Sequence, residues 1–203
     1  AFPGATINSS DGISTITFTM PRTFDVVIGT TGAQGVDYAN NNFVTALNQA
    51  LSDRGASMLS TNTVPLSVFV RSGVYNGTGS SVGARINLFT VPTPSGTIFV
   101  LDHDSKTIIT NYGEISGFTF DGGSRPFTGR MIELRSNSKF KNNIIIGAQA
   151  IANYSSAAIV SVERSTNVVI SGNWFKEYHG CAGKTFQGQC GTIKIIDSAD
   201  TYT

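Results

Sequence analysis

Carboxylates are the residues of this chain best suited to chemistry on a sugar: Asp121, Glu133, Glu163, Glu177 and Asp197. Glycosidic hydrolysis uses two such groups flanking the scissile bond, about 5 to 9 Å apart. Three of the five close similar runs: "MIELRS" from Met131, "AIVSVERS" from Ala158 and "TIKIIDS" from Thr192. If these runs are strands laid over one another, Glu133, Glu163 and Asp197 stack in one column and become the candidate catalytic residues. Arg135, Arg164 and Lys194 accompany them, so the column reads equally as a solvated ladder of local ion pairs. A lyase needs a basic residue beside a uronate carboxylate, a role open to Arg135 or Lys194.

Binding asks for different groups. Phe127, Tyr154, Tyr178 and Phe186 lie in polar segments with Asn and Gln nearby, a composition that can stack on sugar rings and bond their hydroxyls. The same aromatics can instead cover the edges of the fold. Trp174 alternates with core-type positions and fits an inward or an outward placement. Cys181 and Cys190 sit nine apart in "HGCAGKTFQGQCG". A disulfide between them would contribute about 2–3 kcal/mol and place the protein outside a reducing cytosol; two free thiols is the other reading. His179 is the only imidazole near them, so a four-ligand zinc site does not assemble. "LDHDS" at 101–105 reads as a surface turn rather than a cation site. No metal and no cofactor is expected.

The composition narrows the partners. Charged residues make up only 13% of 203 residues, the net charge is +1, and polarity comes from Ser, Thr, Asn and 22 Gly. Clusters of Lys and Arg do not exceed two residues, which leaves nucleic acid and anionic membrane surfaces without a footprint. No apolar run approaches the roughly 20 residues of a membrane span. Residues 1–20 lack the basic start and apolar run of a signal peptide.

The elements that must position these residues repeat. "ISGFTF" begins at Ile115, "FKNNII" at Phe140 and "ISGNWF" at Ile170, with the second series of apolar runs between them. The unit reads as strand, short turn, strand and variable loop, every 25 to 30 residues. Steps of this length are too short for propeller blades and suit a solenoid of stacked strands. Ile115, Phe140 and Ile170 are then one inward ladder. Asn142, Asn143, Gly172 and Asn173 take the tight bends, where left-handed conformations favour Gly and Asn. The reading is all-β: a single-stranded, right-handed parallel β-helix with an N-terminal capping helix. It divides into an extended or β segment (1–30), the capping helix and first coils (31–104), and further coils (105–203).

The helix is read from Phe43, Val44, Leu47, Ala50 and Leu51, which share one helical face over about 13 residues, Asn42–Arg54. Asn41 or Asn42 caps its start and Gly55 its end. A strand, "LSVFVRSGVYN", follows from Leu66 to Asn76. "GAQGVDYANNNFVTALNQAL" followed by "VFVRSGVYN" resembles the opening segment of the pectate-lyase-like β-helix superfamily, which phage tailspikes and many polysaccharide lyases and hydrolases share. Asn40-Asn41-Asn42 stands where that family usually has Asp-Asp-Thr, and its Asn-Thr-Asp and Gly-His-Gly hydrolase signatures are missing. The resemblance implies an extracellular or virion-surface scaffold that recognises cell-surface polysaccharide, homotrimeric and in contact with other virion proteins. A lyase or glycoside hydrolase of the same fold, and a purely structural capsid or filament component, are the alternatives. "DSADTYT" leaves the last coil bare, and more chain or another subunit is expected to cover it.

Overall fold

A computed structural model describes residues 5–10, 13–18, 24–53, 66–76, 82–84, 86–90, 96–100, 109–111, 113–123, 126–127, 130–147, 149–150, 158–163, 165–176 and 191–196. Among these residues the chain is mostly parallel β-sheet with one short helix, arranged in three main sheets. The first orders Val82–Ala84, Ile109–Asn111, Arg130–Leu134, Ala158–Glu163 and Gly191–Ile196 side by side. In the second, Tyr38–Ala39 and Val26–Gly29 lead to Leu66–Val70, Ile86–Phe89, Glu114–Ser116, Lys139–Lys141 and Val169–Ser171. The third holds Gly73–Asn76, Thr97–Val100, Thr119–Asp121, Ile144–Ile146 and Trp174–Lys176. From Leu66 onward the chain visits the second, third and first sheets in that order and then starts again. Ala5–Ser10 and Ile13–Phe18 form a separate antiparallel hairpin.

The register follows from what must be buried. Ile115 pairs with Phe140 and Phe140 with Ile170, so the strands adopt the 25- and 30-residue steps of the sequence repeat. The same inward column continues through Leu88, Val68 and Val26. Every one of these six is fully buried except Ile170, which is partly so. Slipping a strand by one residue would turn its apolar side chains outward, which fixes the pairing wherever one face is core. The third sheet contributes Tyr75, Phe99, Phe120, Ile145 and Phe175 in register, and the first contributes Ile132 and Leu134 over Val160 and Val162.

The six-residue runs that read as single strands are each two strands around a corner. Gly117, Asn142 and Gly172 follow the paired residues Ser116, Lys141 and Ser171, and all three are left-handed, with φ of 88°, 53° and 65°. That bend carries the chain from the second sheet to the third, so each repeat holds three strands rather than two. Leu66–Asn76 is split in the same way, into Leu66–Val70 and Gly73–Asn76. A Cβ at Gly172 would lie 2.3 Å from Asn142 Oδ1. Gly172→Ala is therefore expected to cost about 1–2 kcal/mol, from left-handed strain and displacement of that amide, read as a fall in the denaturant midpoint.

An asparagine ladder locks the same corner. Asn143, fully buried, accepts the Phe118 N–H at Oδ1 (3.0 Å) and donates from Nδ2 to the Ile115 carbonyl (3.1 Å). One repeat on, Asn173 Oδ1 accepts the Asn143 N–H (2.9 Å) and its Nδ2 donates to the Phe140 carbonyl (2.8 Å). Each amide thus bonds to backbone groups that the turn has removed from the sheet ladders. A second left-handed corner, Asn137 and Asn167, joins the first sheet to the second, with Asn167 Nδ2 donating to Asn137 Oδ1 at 3.2 Å.

The helix runs Phe43–Asp53, and all five residues assigned to its apolar face are buried. Asn42 is its cap: Oδ1 accepts the Thr45 N–H at 3.0 Å. Asn41 has another task, accepting the Thr31 N–H. Gly55 lies outside the described residues. Phe43 drives the helix into the sheets, its ring 4.4 Å from Phe99 and 6.3 Å from Tyr75. Among the described residues no helix is long and apolar enough to cross a membrane.

Tyr75 is fully buried and its hydroxyl donates to the Arg71 carbonyl at 2.9 Å. Burial pushes the phenol up to about 12, with the Arg71 guanidinium pulling weakly the other way. A raised folded value means the stability contribution is whole below pH 10 and lost as pH rises from 10 through 12. Comparing the unfolding free energy of wild type and Tyr75→Phe across that window isolates the effect. Relative to the variant, the wild type should lose about 2–3 kcal/mol.

Candidate functional site

The three carboxylates expected in one column do not share one. Glu133 lies in register between Thr110 and Ser161, and Ser161 lies beside Lys194. Glu163 is in register with Ile196. The reason is the core: Ile132 and Leu134 must lie over Val160 and Val162, which places Glu163 two residues further along its strand than Glu133. The two glutamates stand on adjacent strands with Cα positions roughly 8 Å apart by sheet spacing. Asp197 and Glu177 lie outside the described residues.

Glu133 occupies an outward position, opposite in the pleat to Ile132 and Leu134, yet it is only 6% exposed. Its Oε1 is ion-paired with Arg135, two residues along the same outward face. Ser161, the neighbour in register, is also buried, with Oγ 3.5 Å from the Ile132 carbonyl. Glu133 and Ser161 are thus neighbouring buried polar groups, and the acid carries its own counter-ion in Arg135. Glu114 and Lys141 make a second pair, 3.5 Å apart across adjacent strands of the second sheet, with both side chains partly open to solvent. Exposed pairs of this kind contribute little.

The aromatic candidates separate. Phe127 lies in the short strand Pro126–Phe127, which pairs in parallel with Gln149–Ala150. Tyr154, Tyr178 and Phe186 lie outside the described residues, as do Cys181, Cys190, Arg164 and the Asp102–Asp104 turn. The segments carrying these aromatics, 122–129, 147–157 and 177–190, all connect a strand of the third sheet to one of the first.

Among the described residues, Trp174 is the aromatic placed in the open. Phe175 turns into the core, so Trp174 turns out, and it is 60% exposed. It ends an outward column of the third sheet: Val74, Ile98, Thr119, Ile144, Trp174. Val74 at the other end is 56% exposed, and small Thr119 is buried in the row between Ile98 and Ile144. Two residues along each strand runs a parallel column of Asn76, Val100, Asp121, Ile146 and Lys176. Asp121 Oδ1 accepts the Gly123 N–H at 2.7 Å. An apolar row beside a row punctuated by an amide, a carboxylate and an ammonium is an amphipathic surface with a repeat equal to the strand spacing. The alternation around Trp174 could not locate it, because the left-handed corner at Gly172 resets the inward–outward phase just before it.

Comparison of the chain with protein-family models, with curated proteins and with solved structures yields no match.

Proposed function

We propose that the chain is a right-handed parallel β-helix that acts as a rigid, tailspike-like scaffold recognising cell-surface polysaccharide outside the cell or on a virion. The observation that carries this reading is the unbroken return of the chain to the same three parallel sheets, with long connections gathered at one of the three junctions. A parallel crossover connection is right-handed in nearly all sheets, which supplies the hand. Solenoids of this kind present extended outward surfaces to a partner, and their insertions collect on the binding side. The helix Phe43–Asp53 serves as the cap that a solenoid end needs over its apolar core.

Turnover is the second reading, and one observation favours it: buried Glu133, ion-paired with Arg135, stands on the strand adjacent to the one that carries Glu163. A panel of bacterial and algal polysaccharides, read for retention of the protein and for shortening of the glycan, separates the two. Retention without shortening is the expected result. Shortening lost in Glu133→Gln or Glu163→Gln would make the chain an enzyme. Neither retention nor shortening would leave a structural component whose partners are proteins.

A further inference from the structure

Resting on that reading, we infer that the glycan lies on the outward face of the third sheet, along the stack of coils, and that it is a neutral hexose polymer. Three features of the face point there. First, the apolar row ending at Trp174 offers a flat indole and aliphatic side chains to the CH faces of pyranose rings. Second, the adjacent row supplies Asn76, Asp121 and Lys176 for hydroxyls, one on every second coil, so these polar groups recur at about 9.6 Å, close to the length of two sugar residues. Third, Asp121 stands in the middle of the track, where a uronate carboxylate would meet like charge.

A protein partner suits this face poorly. Five strands span only about 20 Å, one short strand wide. That falls well below the roughly 800 Å² per partner of a stable interface. A continuous apolar docking surface would also bury the Asp121 carboxylate at a desolvation cost.

Trp174 is the only tryptophan in the chain, so its emission reports on this face alone. The test titrates the protein with soluble neutral glucans and mannans and, separately, with a polyuronate, while the same glycans are used for retention. The expected result is a saturable blue shift with at least one neutral polymer and none with the polyuronate. At least tenfold weaker retention is expected for Trp174→Ala, with partial recovery in Trp174→Phe. Because the side chain is exposed, circular dichroism and the unfolding midpoint of both variants should match wild type. Asp121→Asn should admit the polyuronate, because the like charge on the track is then gone. Undiminished retention by Trp174→Ala would overturn this placement while leaving glycan recognition intact. No retention of any glycan by the wild type would overturn both. An emission shift that follows protein concentration without glycan would make the face a contact between copies and overturn the placement.

Discussion

Asn143→Leu is expected to destabilise the chain by about 2–4 kcal/mol, although it replaces a buried polar group with an apolar one of similar size. Hydrophobicity alone predicts the opposite sign. The loss arises because the Phe118 N–H and the Ile115 carbonyl, both in the buried corner, lose their bonds to the amide. Asn173 keeps the Asn143 backbone N–H as a donor but loses the side-chain one. Urea unfolding of the variant beside wild type measures the cost. Asn173→Leu should cost less, since Asn173 is only partly buried. Equal or greater stability of Asn143→Leu would mean that the corner is held by its apolar neighbours and not by the ladder.

Phe99→Ala carries the other large effect, about 3–5 kcal/mol. Phe99 is 1% exposed and its ring meets four others: Phe43 at 4.4 Å, Phe118 at 4.9 Å, Phe120 at 5.5 Å and Tyr75 at 5.7 Å. Deleting it opens a cavity where the helix, the corner and the third sheet converge, and little in a ladder of stacked strands can collapse to fill it. The midpoint of thermal or urea unfolding reads the loss. A further consequence is specific to this site: the helix loses its aromatic anchor, so the helical band in circular dichroism should fall before the β signal on heating. Val74→Ala, on the outer face of the adjoining strand, should leave both transitions in place.

Much of this arrangement is legible in the sequence because burial writes itself into alternation. The series Ile115, Phe140, Ile170 is visible as a repeat, and the strands pair in that register. The helix face is legible for the same reason at a different period. Asn142 and Gly172 signal the bend through their tolerance of left-handed backbone, and both adopt it. What escapes is phase. Glu133 and Glu163 look equivalent because each precedes an Arg and a Ser, but the Ser follows three residues after one and two after the other. The core then decides the pairing, and it offsets them. Trp174 escapes for a related reason, since the corner at Gly172 and Asn173 breaks the alternation that would have assigned its face. Asn143 was readable as a bend residue; its role as a buried amide bonding across repeats belongs to the stacking, which no local pattern encodes.

Stacking of the repeats in register is tested most directly by nuclear Overhauser contacts within the second sheet. The methyl groups of Leu88, Ile115 and Ile170 and the ring of Phe140 should form a single relay, Leu88 to Ile115 to Phe140 to Ile170, because neighbours in it are separated by one strand spacing of about 4.8 Å. Backbone contacts between Glu114–Ser116 and Lys139–Lys141 should carry the parallel pattern. An absent Ile115–Phe140 contact, or an antiparallel pattern between those two strands, would contradict the account from the core outward.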